Sequence, residues 1–195
     1  AYRRQRQMCI RDRVILGTRA RKTRTKSFNA FSSIDYPETA MFRDRRLIQF
    51  LQRPADYTHA VFSTALDPNV FVLRLVPGMR ADIIPLLEGR YRALVLESFG
   101  VGGLPGGDDG AMFAAVRDWC GAGHLAVFTT QVPHEGSDLA VYEVGRAAKA
   151  LPGVLEAHDM TPEATAVKLM WVLGQTTDRA EAEKLFLTPV QWDIL

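Results

Sequence analysis

The sequence predicts an α/β fold in which a small parallel sheet is flanked by helices and preceded by a partial linker and domain remnant. From about residue 70 onward, short apolar runs alternate with segments of helical pattern. The run at 93–96 and the first four residues of 125–130 are entirely apolar, which is typical of parallel strands covered on both faces. A clear helix start at Thr161-Pro162 follows the last short run.

The predicted elements follow in chain order. Residues 14–46 are polar and turn-rich without a clear period, so we expect a surface connection there, followed by strands at 47–51 and 59–62. The alternating region begins with a strand at 70–75, which Pro77-Gly78 ends. After it we expect a helix at 80–87, a strand at 93–96, a helix at 109–120, a strand at 125–130, a helix at 139–151 and a strand at 154–157.

The last strong helix begins after that strand. Thr161 is placed to cap it, Pro162 suits the first turn, and Glu163 complements the positive end of the helix. Its apolar residues fall on one face, which core packing explains completely: Ala166, Leu169, Met170 and Leu173. A second helix at about 178–185 and an apolar tail complete the chain.

The first thirteen residues differ from the rest. Five of them are Arg and one is acidic, with no apolar period for a helix or a strand. Residues 3–13 resemble the translation of a transposase mosaic-end adapter from sequencing-library preparation, and a basic arm that binds nucleic acid is the alternative. Residues 14–195 hold 19 basic and 21 acidic residues, so the basic balance comes mostly from this segment.

Composition excludes several classes of function. Apolar residues make up 47% of the chain, enough for a full core, and no apolar run reaches the ~18 residues that span a bilayer. With no secretory segment visible either, we expect a soluble chain without a membrane partner. The basic cluster at 19–26 lacks stacking aromatics, which favours a solvated loop over a nucleic-acid site. Cys120 is the one cysteine outside the first thirteen residues, as fits a reducing compartment.

A glycine-rich loop is the first candidate site. Gly100, Gly102 and Gly103 follow a predicted parallel strand, and ligands of open α/β sheets bind beyond the carboxyl ends of strands. The glycines would let the backbone approach a substrate or a facing subunit closely, or they would serve a tight turn that needs positive φ. Both explanations remain open.

Familiar catalytic and metal-binding motifs do not fit the chain. Pro105 stands where a dinucleotide-binding fingerprint needs its third glycine, so that motif is absent. Leu96 stands where an α/β-hydrolase nucleophile elbow needs its first glycine, so Ser98 is not a credible lone nucleophile. The histidines have no spacing suited to one metal, and we expect no metal site. They are His59, His124, His134 and His158.

Two carboxylates near the start of the last strong helix form the second candidate site. Asp159 and Glu163 lie where backbone N–H groups also favour anions, although helix capping is an alternative explanation. His134-Glu135 and His158-Asp159 would form an acid/base pair if the fold brought them together, which spacing cannot show.

Four phrases in fixed order add a resemblance. They are LESFGVGGLP at 96–105, TTQ at 129–131, YEVG at 142–145 and DMTPEA at 159–164, running on into KLMWVLGQ at 168–175. Together they resemble the C-terminal domain of type I (cytoplasmic) L-asparaginases. The similarity covers about residues 18–195, and the ordered set is specific where any one phrase would be weak.

This resemblance implies that the reacting groups lie elsewhere. In the family a threonine of an N-terminal Thr-Gly-Gly-Thr phrase attacks the side-chain amide, and a second threonine beside an aspartate, served by a lysine, supports it. This sequence has no such phrase, and its Thr177-Asp178 pair follows the final core helix, where the family has none. We therefore expect no catalytic residue in the chain. The resemblance implies supporting positions near the substrate pocket or a subunit interface at Gly100, Gly102, Gly103, Asp159, Thr161 and Glu163.

The expected organisation is an adapter-derived segment at 1–13, a remnant and linker at 14–58, and an asparaginase C-terminal domain at 59–195. The chain would hydrolyse L-asparagine to L-aspartate and ammonia only when joined to its N-terminal domain, in a homodimer or tetramer. Two alternatives are the asparaginase-like subunit of a glutamyl-tRNA amidotransferase and a non-catalytic ligand-binding or oligomerisation module. Separation from the other domain would expose an apolar surface lined by Leu104, Trp192, Ile194 and Leu195.

Overall fold

The computed structural model describes residues 7–10, 12–51, 62–105 and 110–195. They fall into two compact units, residues 1–63 and residues 64–195, and each unit has its own strands. The predicted boundary between residues 58 and 59, the predicted strand at 59–62 apart from Phe62, and the predicted helix start at Asp109 lie outside the described residues.

The N-terminal unit consists of short antiparallel strands. Their bounds are β1 Gln7–Ile10, β2 Arg13–Leu16, β3 Ala20–Lys22, β4 Phe31–Ser33, β5 Ala40–Arg43 and β6 Arg46–Gln49. Four of them form one sheet in the order β1-β2-β5-β6, and β3 pairs with β4. Val14, Ile15 and Leu16 of β2 are buried and supply much of the apolar interior of this unit.

Two predictions for this unit are wrong. Residues 14–46 are predicted to be a connection without a clear period and residues 1–13 to lack a strand pattern, yet β1 to β5 lie there. Strands of three or four residues contain too few positions for a period of two to be recognised. Their hydrogen-bonding partners are also distant in sequence, as with Val14 opposite Ala40. The predicted strand at 47–51 corresponds to β6.

The C-terminal unit contains the predicted parallel sheet. Its strands are β7 Val70–Arg74, β8 Ala93–Ser98, β9 Leu125–Thr130 and β10 Val154–Glu156. Their order is β10-β9-β8-β7, and every neighbouring pair is parallel. The carboxyl ends of these strands therefore lie along one edge, which we call the carboxyl edge.

Helices cover both faces of this sheet, which confirms the predicted α/β class. In the described part of the unit they are α1 Ile83–Leu87, α2 Ala111–Gly121, α3 Glu143–Lys149, α4 Pro162–Gln175 and α5 Arg179–Leu187. Because successive side chains of a strand point to opposite faces, Val127 packs in one core with Leu169 of α4, and Phe128 packs in the other with Val116 of α2. None of these helices has the length and apolar character to cross a bilayer.

The predicted start of α4 is confirmed. Thr161 Oγ1 accepts a hydrogen bond from the N–H of Ala164 at 3.1 Å, and Pro162 is the first helical residue. The start of α3 differs from the predicted start at Leu139, because Tyr142 is extended and the helix begins only at Glu143.

The C-terminal tail packs against α4. Lys168 Nζ lies 2.9 Å from Asp193 Oδ2, and both side chains are almost fully buried. Lys168 Nζ also donates to the carbonyl of Thr188 at 2.9 Å. Ile194 belongs to the core beside α4, so the prediction that it lines an exposed surface is wrong, while Leu195 remains exposed.

Candidate functional site

The carboxyl edge of the parallel sheet brings the sequence-predicted segments together. β8 leads into the glycine-rich loop at 100–103, β9 leads into residues 131–142, and β10 leads into residues 157–161 ahead of α4. Ligands of open α/β sheets bind beyond this edge. These three segments therefore form the candidate functional site.

The glycine-rich loop is a tight turn closed by its own backbone. The N–H of Phe99 donates to the carbonyl of Gly103 at 2.9 Å, and the N–H of Gly103 donates back to the carbonyl of Phe99 at 2.8 Å. Gly100 has a φ of +49°, in the left-handed region. Gly102 has a φ of +156°, and a Cβ added there would lie 2.7 Å from Leu139 Cδ2. Both explanations for the glycines therefore apply in this loop, since the turn needs positive φ and its backbone approaches another group closely. That group is Leu139 of the same chain.

A connecting segment, residues 136–139, joins the glycine-rich loop to the end of β10. The N–H of Asp138 donates to the carbonyl of Val101 at 2.7 Å. One residue earlier, the N–H of Ser137 donates to the carbonyl of His158 at 2.8 Å. Sequence reasoning missed this connection, which links the two candidate sites.

Gly136 allows the connecting segment to lie directly on the turn after β10. Its φ is +67°, and a Cβ there would lie 2.5 Å from the carbonyl oxygen of His158. The backbone at His134-Glu135 is thereby brought near His158-Asp159, as the acid/base hypothesis requires. The pairing of these side chains as acid and base stays a prediction.

The residues at the start of α4 take separate roles. Thr161 is 2% exposed and its hydroxyl caps the helix, so capping accounts for this side chain. Asp159 Oδ1 accepts a hydrogen bond from the N–H of Leu195 at 3.1 Å, which anchors the C-terminal residue. Glu163 is exposed in the first turn. Of the three, Glu163 is the one most accessible to a ligand.

Thr130 and Gln131 hold the carboxyl ends of three strands at a fixed spacing. Thr130 Oγ1 donates to the carbonyl of Gly100. Gln131 Nε2 donates to the carbonyls of Leu75 at 2.6 Å and Glu97 at 2.8 Å. Thr130 and Gln131 of the TTQ phrase therefore have a structural function at this edge.

Two side chains with nucleophilic atoms are unsuited to attack a substrate. Ser98 is fully buried, and its hydroxyl donates to the carbonyl of Thr129 at 2.7 Å. Burial raises the pKa of the Cys120 thiol to about 11, more than the opposing effect of Arg179 lowers it. The Cys120 thiol is therefore protonated at neutral pH, and a protonated thiol is a poor nucleophile.

The described histidines lie in different surroundings. The His124 ring stacks on Trp119 with 4.3 Å between centroids, and His158 Nδ1 lies 3.9 Å from Glu156 Oε2. Across the described part of the chain, no group of three or more His, Cys, Asp or Glu residues could hold a metal ion. His59 lies outside the described residues.

Glu156 is a buried carboxylate that sequence reasoning did not select. Its residue is 5% exposed, its Oε1 accepts the N–H of Leu139 at 2.7 Å, and its Oε2 lies 3.0 Å from Lys149 Nζ. One signal was available, because a single charged residue interrupts the apolar run at 154–157. A buried charge in a strand calls for partners.

A cavity of about 230 Å³ opens at the opposite edge of the sheet. Its lining includes Arg92, His124 and Arg179. Both arginines are already paired, Arg92 with Asp67 at 2.7 Å and Arg179 with Glu183 at 3.6 Å. Because strand carboxyl ends are the usual ligand site, we place the candidate site at the carboxyl edge despite this cavity.

Comparison with known sequences identifies a family match. The family described as glutaminase/asparaginase C-terminal domain matches residues 69–186. The L-asparaginase of Thermococcus kodakarensis is 39% identical over 175 residues, which cover 89% of this chain and 52% of that protein. A glutamyl-tRNA(Gln) amidotransferase subunit of Metallosphaera sedula is 34% identical over 178 residues, covering 88% of this chain and 39% of that protein. The chain thus spans about half the length, or less, of these relatives.

Solved structures agree on the fold. The thermostable L-asparaginase from Thermococcus kodakarensis superposes with a TM-score of 0.90 at 35% identity, over 97% of this chain and 57% of that one. L-asparaginase I from Vibrio cholerae superposes with a TM-score of 0.80 at 22% identity, over 97% of this chain and 56% of that one. The second likeness concerns the fold alone.

Proposed function

The chain belongs to the glutaminase/asparaginase family through its C-terminal domain, and on this premise we propose that it is the C-terminal half of an L-asparaginase. The reaction would be hydrolysis of L-asparagine to L-aspartate and ammonia. The observation that carries this proposal is the similarity to the Thermococcus kodakarensis L-asparaginase in both sequence and fold.

We propose a supporting role for this half, without activity of its own. The sequence contains no Thr-Gly-Gly-Thr phrase to supply the nucleophile expected from the family resemblance. Three hydroxyls at the carboxyl edge are engaged, since Ser98 and Thr130 donate to backbone carbonyls and Thr161 caps α4, and a fourth, that of Thr129, is fully buried. An activated nucleophile needs an adjacent base or a lowered pKa, and these three hydroxyls have other partners.

The proposed partners are an N-terminal domain and a second subunit of a homodimer or tetramer in the cytoplasm, with no cofactor. The glycine-rich loop would present backbone to the substrate pocket or the interface through Gly100, Gly102 and Gly103. Glu163 would face a ligand directly, while Asp159 and Thr161 would hold the turn in place. The proposed domain begins near residue 59, after a linker at 14–58 and an adapter-derived segment at 1–13.

Ammonia release from L-asparagine tests this proposal. The purified chain should release no ammonia above a buffer blank, because positioning groups cannot replace the attacking threonine. Co-expression with the N-terminal half of the Thermococcus kodakarensis L-asparaginase should give a pair that releases ammonia at a rate saturating with asparagine. The matched control is the same pair with the attacking threonine that the family resemblance places in the N-terminal half replaced by alanine. Release by the chain alone that survives re-purification would overturn the supporting role.

A second candidate is an amidotransferase subunit, which the 34% identity to the Metallosphaera sedula protein favours. Such relatives are longer, since the match covers 39% of that protein against 52% of the L-asparaginase. Sequencing the DNA upstream distinguishes the two candidates. An additional N-terminal module would favour the amidotransferase, and an asparaginase-sized N-terminal half would favour the first proposal.

A further inference from the structure

The buried carboxylate of Glu156 holds three parts of the carboxyl edge together. It lies at the end of β10, accepts the N–H of Leu139 from the connecting segment at 2.7 Å, and pairs with Lys149 of α3 at 3.0 Å. The carboxylate side chain is 4% exposed, whereas the Lys149 side chain is 50% exposed. The charge of Glu156 is therefore buried, and its cationic partner Lys149 remains half exposed to water.

Leu139 is held from three directions. The N–H of Leu139 donates to Glu156. Leu139 Cδ2 lies so close to Gly102 that a Cβ added there would be 2.7 Å from it, and the Leu139 carbonyl oxygen would likewise contact a Cβ added to Gly145. Leu139 is 1% exposed. A shift of Leu139 toward Gly102 or Gly145 would therefore displace the glycine-rich loop or α3.

The ion pair with Lys149 contributes little to stability on physical grounds. A half-exposed lysine gains little from an ion pair in water, and burying a carboxylate is costly. Buried charges of this kind are best attested as devices that select one arrangement over others. In this chain, the group that Glu156 binds is the N–H of Leu139, whose side chain lies against Gly102.

We propose that Glu156 is a positioning residue for the substrate pocket, acting through Leu139 to hold the glycine-rich loop at a fixed distance from the turn at His158-Asp159. The catalytic consequence, a change in KM for L-asparagine, rests on the proposed function. The positional consequence, a change in how firmly Leu139 and the glycine-rich loop are held, concerns this chain alone. The two consequences are measured separately.

Hydrogen exchange in the isolated chain measures the positional consequence. Glu156→Leu should speed exchange at the amides of Leu139 and Gly102 about tenfold, the factor expected when a hydrogen bond to a charged group is lost. Glu156→Gln keeps an acceptor and should change these rates less than about threefold. Asp67 is a matched control at the opposite edge, since it also binds one backbone N–H, of Asn69, and one cation, Arg92. Asp67→Leu should leave the Leu139 and Gly102 amides unchanged.

Kinetics of the co-expressed pair measure the catalytic consequence. Glu156→Leu should raise KM for asparagine about fivefold with kcat nearly unchanged, as expected when a binding contact common to ground and transition states is lost. Leu139→Ala keeps the hydrogen bond to Glu156 but removes the contact with Gly102, and it should raise KM similarly. Glu156→Gln should keep the KM of the unaltered pair. Asp67→Leu should also leave KM unchanged, even if it lowers thermal stability as much as Glu156→Leu does.

The outcomes separate the two proposals. An unchanged KM in both Glu156→Leu and Leu139→Ala, with hydrolysis intact, would overturn the positioning role. Unchanged exchange at Leu139 in Glu156→Leu would overturn it as well. If the unaltered pair releases no ammonia, the proposed function fails, and hydrogen exchange still decides whether Glu156 positions the loop.

Discussion

Individual glycines at the carboxyl edge serve two different physical needs. Gly78 has a φ of +78° with no atom within 4 Å of an added Cβ, so only its backbone conformation favours glycine. Gly136 has a similar φ of +67°, but a Cβ there would also meet the carbonyl oxygen of His158 at 2.5 Å. The sequence around both glycines looks like an ordinary turn. Only the folded structure shows that Gly78 is needed for its positive φ alone, whereas Gly136 is needed for its positive φ and for its contact with His158.

Substituting these two glycines tests that distinction. Gly136→Ala should lower the free energy of unfolding by about 3 kcal/mol, because it combines backbone strain with a displaced connecting segment. Gly78→Ala is the matched control and should cost about 1 kcal/mol, from the left-handed backbone alone. Urea denaturation of both variants measures the difference. Equal losses would show that the contact with His158 carries no cost.

Helix α4 shows how one side chain determines where an element begins. Thr161 is fully occupied as a cap, with its hydroxyl accepting the N–H of Ala164. Asp178 performs the same function for α5, accepting the N–H of Glu181 at 2.8 Å. Because both caps are local, the sequence predicts α4 and α5 well. The start of α3 has no such cap, because Tyr142 precedes it in an extended conformation without a side-chain cap hydrogen bond, so no capping residue indicates it.

Removing the cap of α4 tests whether Thr161 is structural. Thr161→Ala should lower the free energy of unfolding by about 1 kcal/mol, the usual cost of losing an N-cap hydrogen bond. Asp178→Ala should give a loss of similar size in α5 and serves as the comparison. Urea denaturation measures both. No loss for Thr161→Ala would argue that its hydroxyl is kept for a ligand instead of the helix.

Across the whole molecule, charge divides between the two units. Residues 1–63 hold 14 basic and 5 acidic residues, whereas residues 64–195 hold 10 basic and 17 acidic residues. The first thirteen residues are not the only basic part, because residues 14–63 still hold 9 basic and 4 acidic residues. The C-terminal unit also exposes apolar side chains near the carboxyl edge. These include Val132, Val141, Tyr142 and Val144.

We expect the chain to self-associate at tens of micromolar through this apolar surface, because contiguous exposed patches are unusual on monomers. Val144→Asp, at a side chain 49% exposed, should shift sedimentation toward the monomer. Val167→Asp is the matched control, since Val167 is 58% exposed on α4, which covers the opposite face of the sheet from α3. Added salt should leave apolar association intact and should weaken association driven by the opposite charges of the two units. A monomer at all salt concentrations would contradict the prediction.

The sequence by itself determined the parallel sheet, the helices on both faces, the cap at Thr161 and the family. These follow from apolar periods, capping residues and ordered phrases, which are local along the chain. The tertiary structure alone decided the antiparallel sheet of the first unit and the burial of Ile194. It also decided the joining of the two candidate loops through residues 136–139 and the placement of Leu139 between Gly102 and Glu156. Each of these depends on groups distant in sequence that meet only when the chain folds, so no local pattern contains them.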